Sequence, residues 1–191
     1  MDSIKLKVRK LLSPVAKGLS GLSPDFLTII GFIITCISGV YYSNGTFWIA
    51  GIILLVGGIF DMLDGEVARI TNKVSKAGAF LDSCLDRVSD FVILFGMFLW
   101  YMKGNDISTC IITILTIGSS SIVPYARARA ESLGQECKGG LADRGIRIPI
   151  IIIGSFFGPA IFIYFLWFLM ITTILTAIYR IVWTRGKLLK K

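Results

Sequence analysis

Residues 61–86 read DMLDGEVARITNKVSKAGAFLDSCLD, and they connect two strongly apolar stretches of the chain. The first stretch covers residues 46–62 and the second covers residues 78–102. Each is close to the roughly 20 residues that an α-helix needs to cross a bilayer. Because a chain in lipid must satisfy its own backbone hydrogen bonds, both stretches are predicted to be transmembrane helices.

Four further apolar stretches complete the predicted fold, which is an all-α integral membrane bundle of six transmembrane helices. They cover residues 24–42, 107–124, 145–157 and 159–183. The stretch 145–157 is short for a membrane span. We therefore expect this helix to begin earlier in the chain or to start inside a polar cavity.

The composition agrees with a membrane protein and excludes several classes of function. Of the 191 residues, 54% are hydrophobic and only 17% are charged, and the mean hydropathy is +0.76. A soluble domain has about 25% charged residues, so a soluble globule and a disordered chain are excluded. The chain has no histidine, which excludes a histidine base, a Ser-His-Asp triad and a histidine-ligated zinc site. Its four cysteines form no CxxC pair and are interpreted as buried thiols, not as a disulfide framework or a zinc site.

The basic residues predict the orientation in the membrane. The net charge is +8, and all of the 20 Lys and Arg except Arg87 and Lys103 lie on one side of the predicted spans. By the positive-inside rule this side is cytoplasmic, and it carries both termini. Such an excess of charge favours anionic lipids or phosphorylated substrates as partners and not nucleic acid.

Three segments are predicted along the chain. Residues 1–23 form a basic juxtamembrane segment, residues 24–185 form the transmembrane domain, and residues 186–191 form a basic tail. The first segment alternates apolar and cationic residues, which fits an interfacial amphipathic helix or a mobile tail equally well. No cleavable signal peptide is predicted.

Half of the 12 acidic residues are concentrated at the end of the second span and in the third span. A carboxylate inside a membrane span costs about 2.5–3.5 kcal/mol, so such a concentration indicates function. The spacing places these residues on one face of each helix. Oxygen ligands of this kind suit Mg²⁺, Mn²⁺ or Ca²⁺, and Mg²⁺ is usually shared with substrate phosphates. The alternative is a set of salt bridges with Arg69, Lys73 and Arg87. The residues are Asp61, Asp64, Glu66, Asp82, Asp86 and Asp90.

The same residues form the pattern D-x2-D-G-x2-A-R-x8-G-x3-D-x3-D from Asp61 to Asp86. This pattern resembles the signature of the CDP-alcohol phosphotransferases, which are membrane enzymes of phospholipid synthesis. The resemblance implies transfer of a phosphatidyl-type group from a CDP-linked lipid to an alcohol, with release of CMP. It also implies a polar cavity open to the cytoplasm, one or two Mg²⁺ or Mn²⁺ ions and a homodimer.

The resemblance assigns roles to individual residues. By this resemblance, Asp61, Asp64 and Asp82 are expected to be metal ligands. Asp86 is expected to be the general base, and also a ligand if a second ion is bound. Gly65 and Gly78 leave room for the nucleotide, and Arg69 pairs with its diphosphate. The stretch from Leu22 to Thr28 resembles the family's cytidine-binding stretch. The residues expected to bind the CDP-lipid are Asp25, Thr28, Gly65, Ala68, Arg69, Ser75 and Gly78.

The second basic loop narrows the choice of acceptor alcohol. Residues 125–147 read YARARAESLGQECKGGLADRGIR and resemble the branch that makes phosphatidylinositol phosphate or archaetidylinositol phosphate. That branch implies inositol 1-phosphate as acceptor and CDP-diacylglycerol or CDP-archaeol as donor. A phosphorylated polyol needs a cationic pocket. The candidate residues are Arg127, Arg144, Arg180, Ser121, Arg129 and Lys138. The alternative role for the cations among them is to anchor the loops on anionic lipid.

Two other functions stay open at this point. The same chemistry could use glycerol 3-phosphate, serine or inositol as acceptor, although serine carries no phosphate for the arginines. A divalent-cation transporter would also place carboxylates within a membrane. Against it, the predicted outer halves of the spans carry no acidic residue.

Overall fold

The computed structural model describes residues 12–137 and 139–189, and this part of the chain contains helices and no strand. Residues 12–18 are helical, and six longer helices follow. The predicted interfacial helix falls mainly on residues 1–11, outside the described residues, and the segment boundaries stay a prediction. The longer helices are α1 (Pro24–Ser43), α2 (Phe47–Ile70), α3 (Lys76–Lys103), α4 (Ile107–Ser132), α5 (Arg144–Ser155) and α6 (Gly158–Leu188).

The helix boundaries follow local signals in the sequence. Ser23 caps α1 by accepting a hydrogen bond from the backbone N–H of Phe26, and Pro24 occupies the first helical position. Gly45 has a φ of +77° in the turn before α2, and Gly158 has a φ of +78° at the start of α6. Asp106 caps α4, and its hydrogen bonds from Thr109 and Ser108 lower the pKa of its carboxyl group.

Two helices extend beyond the predicted spans. The expected second span ended at residue 62, but α2 continues to Ile70. Likewise α4 continues through Pro124 to Ser132, although the apolar stretch ends near that proline. The length of an apolar segment shows only how much of the chain fits in lipid. The helix itself can continue beyond that segment wherever its backbone hydrogen bonds are satisfied. The extensions bring Gly65, Arg69 and Arg127 onto helices.

Four of the six helices are long and apolar enough to cross a membrane, namely α1, α2, α4 and α6. The remaining two depart from that pattern for different reasons. Helix α3 has 28 residues but carries Asp82, Asp86 and Asp90, and α5 has only 12 residues. Both lie beside the polar interior, where the first turn of α5 places Arg144 and Arg147 against the acids of α3.

The packing leaves one end of the bundle open. Helix α1 packs on both α2 and α3, and α4 packs on α3 and α6, while α5 packs on α2 and α6. In the described chain α2 and α3 do not pack on each other, because α1 lies between them. The main apolar core fills the opposite end of the bundle, around Phe47, Met97 and Phe162. Among the described residues, the buried charged side chains lie at the end that carries the acidic motif.

Candidate active site

Three carboxylates from two helices converge at the open end of the bundle. Asp61 lies on α2, and Asp82 and Asp86 lie one turn apart on α3. One oxygen from each of them lies within 4.8 Å of the others. Since α1 holds α2 and α3 apart, these side chains face each other across a gap. An all-oxygen set of this charge fits a hard divalent cation such as Mg²⁺ or Mn²⁺.

Asp64 does not join this group. It lies one turn beyond Asp61 on α2 and is only 6% exposed. Its Oδ2 accepts a hydrogen bond of 2.5 Å from the hydroxyl of Thr28 on α1. Of the three residues expected as metal ligands, the structure thus brings Asp61 and Asp82 together with Asp86, while Asp64 is bonded to α1.

A first cavity opens beside Asp64 and Asp82. Its volume is about 190 Å³, and it lies between the start of α1, the end of α2 and the start of α3. It brings together every residue expected to bind the CDP-lipid. These residues are Asp25, Thr28, Gly65, Ala68, Arg69, Ser75 and Gly78.

The two motif glycines shape this cavity differently. A Cβ on Gly78 would lie 3.0 Å from Oδ1 of Asp25 and 3.1 Å from Oγ of Ser75, so a side chain there would crowd both groups. A Cβ on Gly65 would meet only the end of the Arg69 side chain at 3.7 Å, which leaves the helix surface open. Arg69 pairs with Glu66 at 3.0 Å and stays half-exposed at the cavity. The Ser75 hydroxyl caps α3 by accepting from the N–H of Gly78.

A second, larger cavity opens on the other side of the three carboxylates. Its volume is about 580 Å³, and it lies among α3, the end of α4, the start of α5 and the end of α6. Asp86 and Asp90 line the wall formed by α3, and five arginines complete the charged lining. The arginines are Arg87, Arg127, Arg144, Arg147 and Arg180.

Arg144 connects this cavity to the carboxylates. Its Nη1 lies 3.2 Å from both oxygens of Asp61 and forms an ion pair with Asp86. Its Nε lies 3.4 Å from Oδ1 of Asp90. Among the salt bridges that the sequence suggested, Arg69 pairs with Glu66, whereas Arg87 donates to the carbonyl oxygen of Ser83. The cation among the aspartates comes instead from α5.

Arg180 is held more tightly than an exposed phosphate ligand would be. Its side chain is only 1% exposed. Its nitrogens donate to the carbonyl oxygens of Gly139 at 3.0 Å and Val123 at 2.9 Å, and to Asp143 at 2.7 Å. These bonds fix the loop before α5 to α6, so Arg180 supports the cavity wall as well as lining it.

The remaining candidates for acceptor binding are spread more widely. Arg127 lines the larger cavity and pairs with Glu131 at 2.9 Å. The Ser121 hydroxyl donates to the carbonyl of Ile117, and this residue does not line the cavity. Arg129 lines a separate apolar groove between α4 and α6. Lys138 lies outside the described residues.

Two residues of this site were not predicted from the sequence to belong to it. Asp90 and Arg147 form a buried ion pair at the inner end of the larger cavity. The spacing of four residues from Asp86 to Asp90 already predicted that both lie on one face. Arg147 belongs to the quoted basic loop, where it had been given no role.

The family model that describes CDP-alcohol phosphatidyltransferases matches residues 22–182, which include both cavities. The chain belongs to the CDP-alcohol phosphatidyltransferase family. It is therefore a transferase, and its apolar helices make it an integral membrane protein. The resemblance first noted in the motif from Asp61 to Asp86 is thereby confirmed.

Relatives within the CDP-alcohol phosphatidyltransferases align with most of this chain. An archaetidylinositol phosphate synthase of Pyrococcus horikoshii is 44% identical over 160 residues, which are 82% of this chain and 82% of the relative. A phosphatidylinositol phosphate synthase of Streptomyces avermitilis is 34% identical over 192 residues, which are 92% of this chain and 78% of the relative.

Solved structures of this family have the same fold. The Mycobacterium tuberculosis phosphatidylinositol phosphate synthase with CDP-DAG bound matches with a TM-score of 0.85 at 28% identity, covering 92% of this chain and 94% of that chain. The same enzyme in complex with manganese and citrate also matches with a TM-score of 0.85, covering 90% and 88%. The manganese in that relative and the three carboxylates here both indicate use of a divalent metal.

Proposed function

We propose that this enzyme transfers a phosphatidyl-type group from a CDP-linked lipid to the hydroxyl of inositol 1-phosphate and releases CMP. One observation carries the proposal: the two cavities meet at the three carboxylates. Asp82 lines the smaller cavity and Asp86 lines the larger one, yet their oxygens lie within 4.8 Å of each other. A donor in the first cavity and an acceptor in the second would therefore meet beside these oxygens.

The smaller cavity suits the nucleotide end of the donor. Gly65 and Gly78 let a ligand approach the helix backbone, and Arg69 offers a planar pair of donors to a diphosphate. The hydroxyl of Thr28 and the carboxylate of Asp25 line the same space and offer partners to a base or ribose. We infer that the CDP group binds here, with its lipid tails in the membrane.

The larger cavity suits a phosphorylated acceptor. Arg144 and Arg127 bring positive charge into its walls, and Arg180 fixes the loop that shapes it. Its volume is about 580 Å³, which exceeds that of the donor cavity and accommodates a sugar-sized polyol. Serine and free inositol carry no phosphate to which these cations could bind. Glycerol 3-phosphate is the principal alternative acceptor.

The chemistry assigned to this chain is a direct displacement. Asp86 takes the proton from the acceptor hydroxyl, whose oxygen then forms a bond to the lipid-bearing phosphorus. The bond from this phosphorus to the CMP oxygen breaks, and CMP leaves from the smaller cavity. Asp61, Asp64, Asp82 and Asp86 are the proposed metal ligands. A divalent ion bound there would neutralise the diphosphate and stabilise the charge that develops on the leaving phosphate.

Position in the membrane and assembly belong to the same proposal. We infer that all six helices cross the membrane, with the cavities and both termini on the cytoplasmic side, since the basic residues are concentrated there. Helix α5 has only 12 residues, and its span begins within the polar cavity, where its first turn lies. We also infer the homodimer that the family resemblance implies. A cation transporter is a poor alternative, because the apolar core fills the other end of the bundle.

The test is acceptor-dependent release of CMP by the purified protein in detergent with Mg²⁺ or Mn²⁺. CDP-diacylglycerol and CDP-archaeol are each offered with inositol 1-phosphate, glycerol 3-phosphate, inositol or serine. We expect release with inositol 1-phosphate at a kcat/KM at least tenfold above that with any other acceptor. Asp86→Asn should abolish turnover while CDP-lipid binding is partly retained. Preference for glycerol 3-phosphate would overturn the acceptor, and no release with any alcohol would overturn the proposal.

A further inference from the structure

Asp90 lies one turn beyond Asp86 on α3, and its carboxylate faces two arginines of α5. Its side chain is 13% exposed, so little of its charge is stabilised by solvent. Oδ2 forms an ion pair with Nη2 of Arg147. Oδ1 lies 3.4 Å from Nε of Arg144, within ion-pair distance but without the alignment of a hydrogen bond. A single carboxylate therefore contacts both arginines.

Arg147 anchors this arrangement to the backbone. It is 4% exposed, and its Nη1 donates to the carbonyl oxygen of Ala142 at 2.7 Å. The same guanidinium thus connects Asp90 on α3 to the loop just before α5. Arg144 stands at the first residue of α5, between Ala142 and Arg147 in sequence. The position of its backbone is consequently set by the Asp90–Arg147 pair.

The side chain of Arg144 is attracted from two sides. Asp61 and Asp86 pair with Nη1, at the tip of the guanidinium, whereas Asp90 faces Nε near its base. Without the charge of Asp90, only Asp61 and Asp86 would orient the guanidinium, and only through Nη1. Nε would lose the carboxylate that faces it, and the guanidinium would be held less firmly in the wall of the larger cavity, where the acceptor phosphate is proposed to bind.

We propose that Asp90 is a positioning residue that holds Arg144 in place for the phosphate of the acceptor. This inference rests on the proposed function, because it assigns the acceptor phosphate to Arg144. Asp90 touches neither donor nor reacting atoms in this account. Its effect passes through Arg147 to the start of α5 and through Nε to Arg144 itself.

The test is a double-mutant cycle between Asp90→Asn and Arg144→Gln, with KM for acceptor and donor measured separately at saturating Mn²⁺. We expect Asp90→Asn alone to raise the KM for inositol 1-phosphate about tenfold, equivalent to about 1.4 kcal/mol, and the KM for CDP-lipid less than twofold. In the Arg144→Gln background, where nothing is left to position, Asp90→Asn should change the acceptor KM less than twofold. Asp106→Asn, at the other end of the bundle, is the matched control.

A merely structural role gives a different result. It predicts the same fold-change from Asp90→Asn in both backgrounds, or a parallel rise in donor KM, and either result overturns the inference. If Asp90→Asn does not fold, Arg147→Lys replaces it, since lysine retains the charge but cannot bond Asp90 and Ala142 together. That variant should raise the acceptor KM several-fold, and an unchanged KM would overturn the inference.

The proposed function and this inference can fail independently. A wild-type enzyme that releases CMP only with another phosphorylated alcohol refutes inositol phosphate as acceptor. The cycle is then measured with the alcohol that is used, and coupling between Asp90 and Arg144 still decides the role of Asp90.

Discussion

The hydroxyl of Thr28 donates a hydrogen bond to Oδ2 of Asp64, with 2.5 Å between the two oxygens. This bond joins α1 to α2 in the lining of the smaller cavity, and it engages one of the two carboxylate oxygens of Asp64. Both residues are nearly buried. A hydrogen bond to a charged group is worth about 1.5–3 kcal/mol, so this contact holds Asp64 in one position.

Thr28→Val should therefore impair donor binding. It keeps the shape of the side chain and leaves Oδ2 of Asp64 without its hydroxyl donor. We expect the KM for CDP-lipid to rise about tenfold, from the loss of about 1.5 kcal/mol at this contact, while the acceptor KM stays within twofold. Thr28→Ser retains the hydroxyl and is the matched control. Equal KM values for the two variants would contradict the role of this hydrogen bond.

Removal of one converging carboxylate should weaken metal binding directly. Asp82→Asn takes one negative charge from the three oxygens that lie within 4.8 Å of each other. We expect its affinity for Mn²⁺ to fall more than about tenfold, since affinity follows the charge of the ligand set. Free Mn²⁺ measured by electron paramagnetic resonance reports this without any turnover. Asp106→Asn should bind Mn²⁺ as the wild type does, and equal losses in both variants would refute a site at Asp82.

Arg180 should prove more important for stability than Arg127. Arg180→Gln removes three hydrogen bonds from a side chain that is 1% exposed, and it leaves two carbonyls and Asp143 without their donor. We expect the free energy of unfolding to fall by about 2–3 kcal/mol, because two carbonyl oxygens lose their donors. Arg127→Gln breaks an exposed pair with Glu131 and should cost about 0–1 kcal/mol.

Thermal stability in detergent distinguishes these two variants. The midpoint of unfolding is read from the fraction of protein that survives heating as a monodisperse peak in size-exclusion chromatography. A midpoint for Arg180→Gln equal to that of Arg127→Gln would show that the contacts of Arg180 do not stabilise the loop before α5.

The crossing of α1 and α3 depends on glycine. A Cβ on Gly96 would overlap the carbonyl oxygen of Gly39, and backbone cannot give way as a flexible side chain can. Gly96→Ala should thus destabilise the protein by at least about 1–3 kcal/mol, the usual cost of overpacking. Gly118→Ala on α4 meets nothing within 4 Å and should be neutral or slightly stabilising. Comparison of their unfolding midpoints tests the crossing, and a stable Gly96→Ala would contradict it.

Much of the fold was predictable because the signals are local. The start of α1 at Ser23 and Pro24 and the break at Gly158 depend on capping and on φ, which neighbouring residues decide. The donor cavity was predictable for a similar reason. All of its expected residues lie at the ends of α1, α2 and α3, which short turns connect, so their proximity follows from sequence order.

The acceptor cavity was less predictable, since it depends on how distant segments pack. Arg180 was expected to bind the acceptor. Instead its nitrogens donate hydrogen bonds to the carbonyl oxygens of Gly139 and Val123 and to Asp143. Ser121 and Arg129 were expected nearby, yet their faces of α4 turn away from the cavity. A loop lacks the regular spacing of a helix, so the sequence does not predict which way a basic side chain in a loop points.

The sequence by itself determined an all-helical membrane chain with its carboxylates aligned along α2 and α3, because the spacing of residues on a helix is fixed by backbone geometry. Only the tertiary structure decided which of them converge. Helix α1 separates α2 from α3 and bonds Asp64 through Thr28, which leaves Asp61, Asp82 and Asp86 as the group that shares one point. It also decided that Arg144 faces them from α5, since contacts between segments far apart in sequence depend on the packing of the whole bundle.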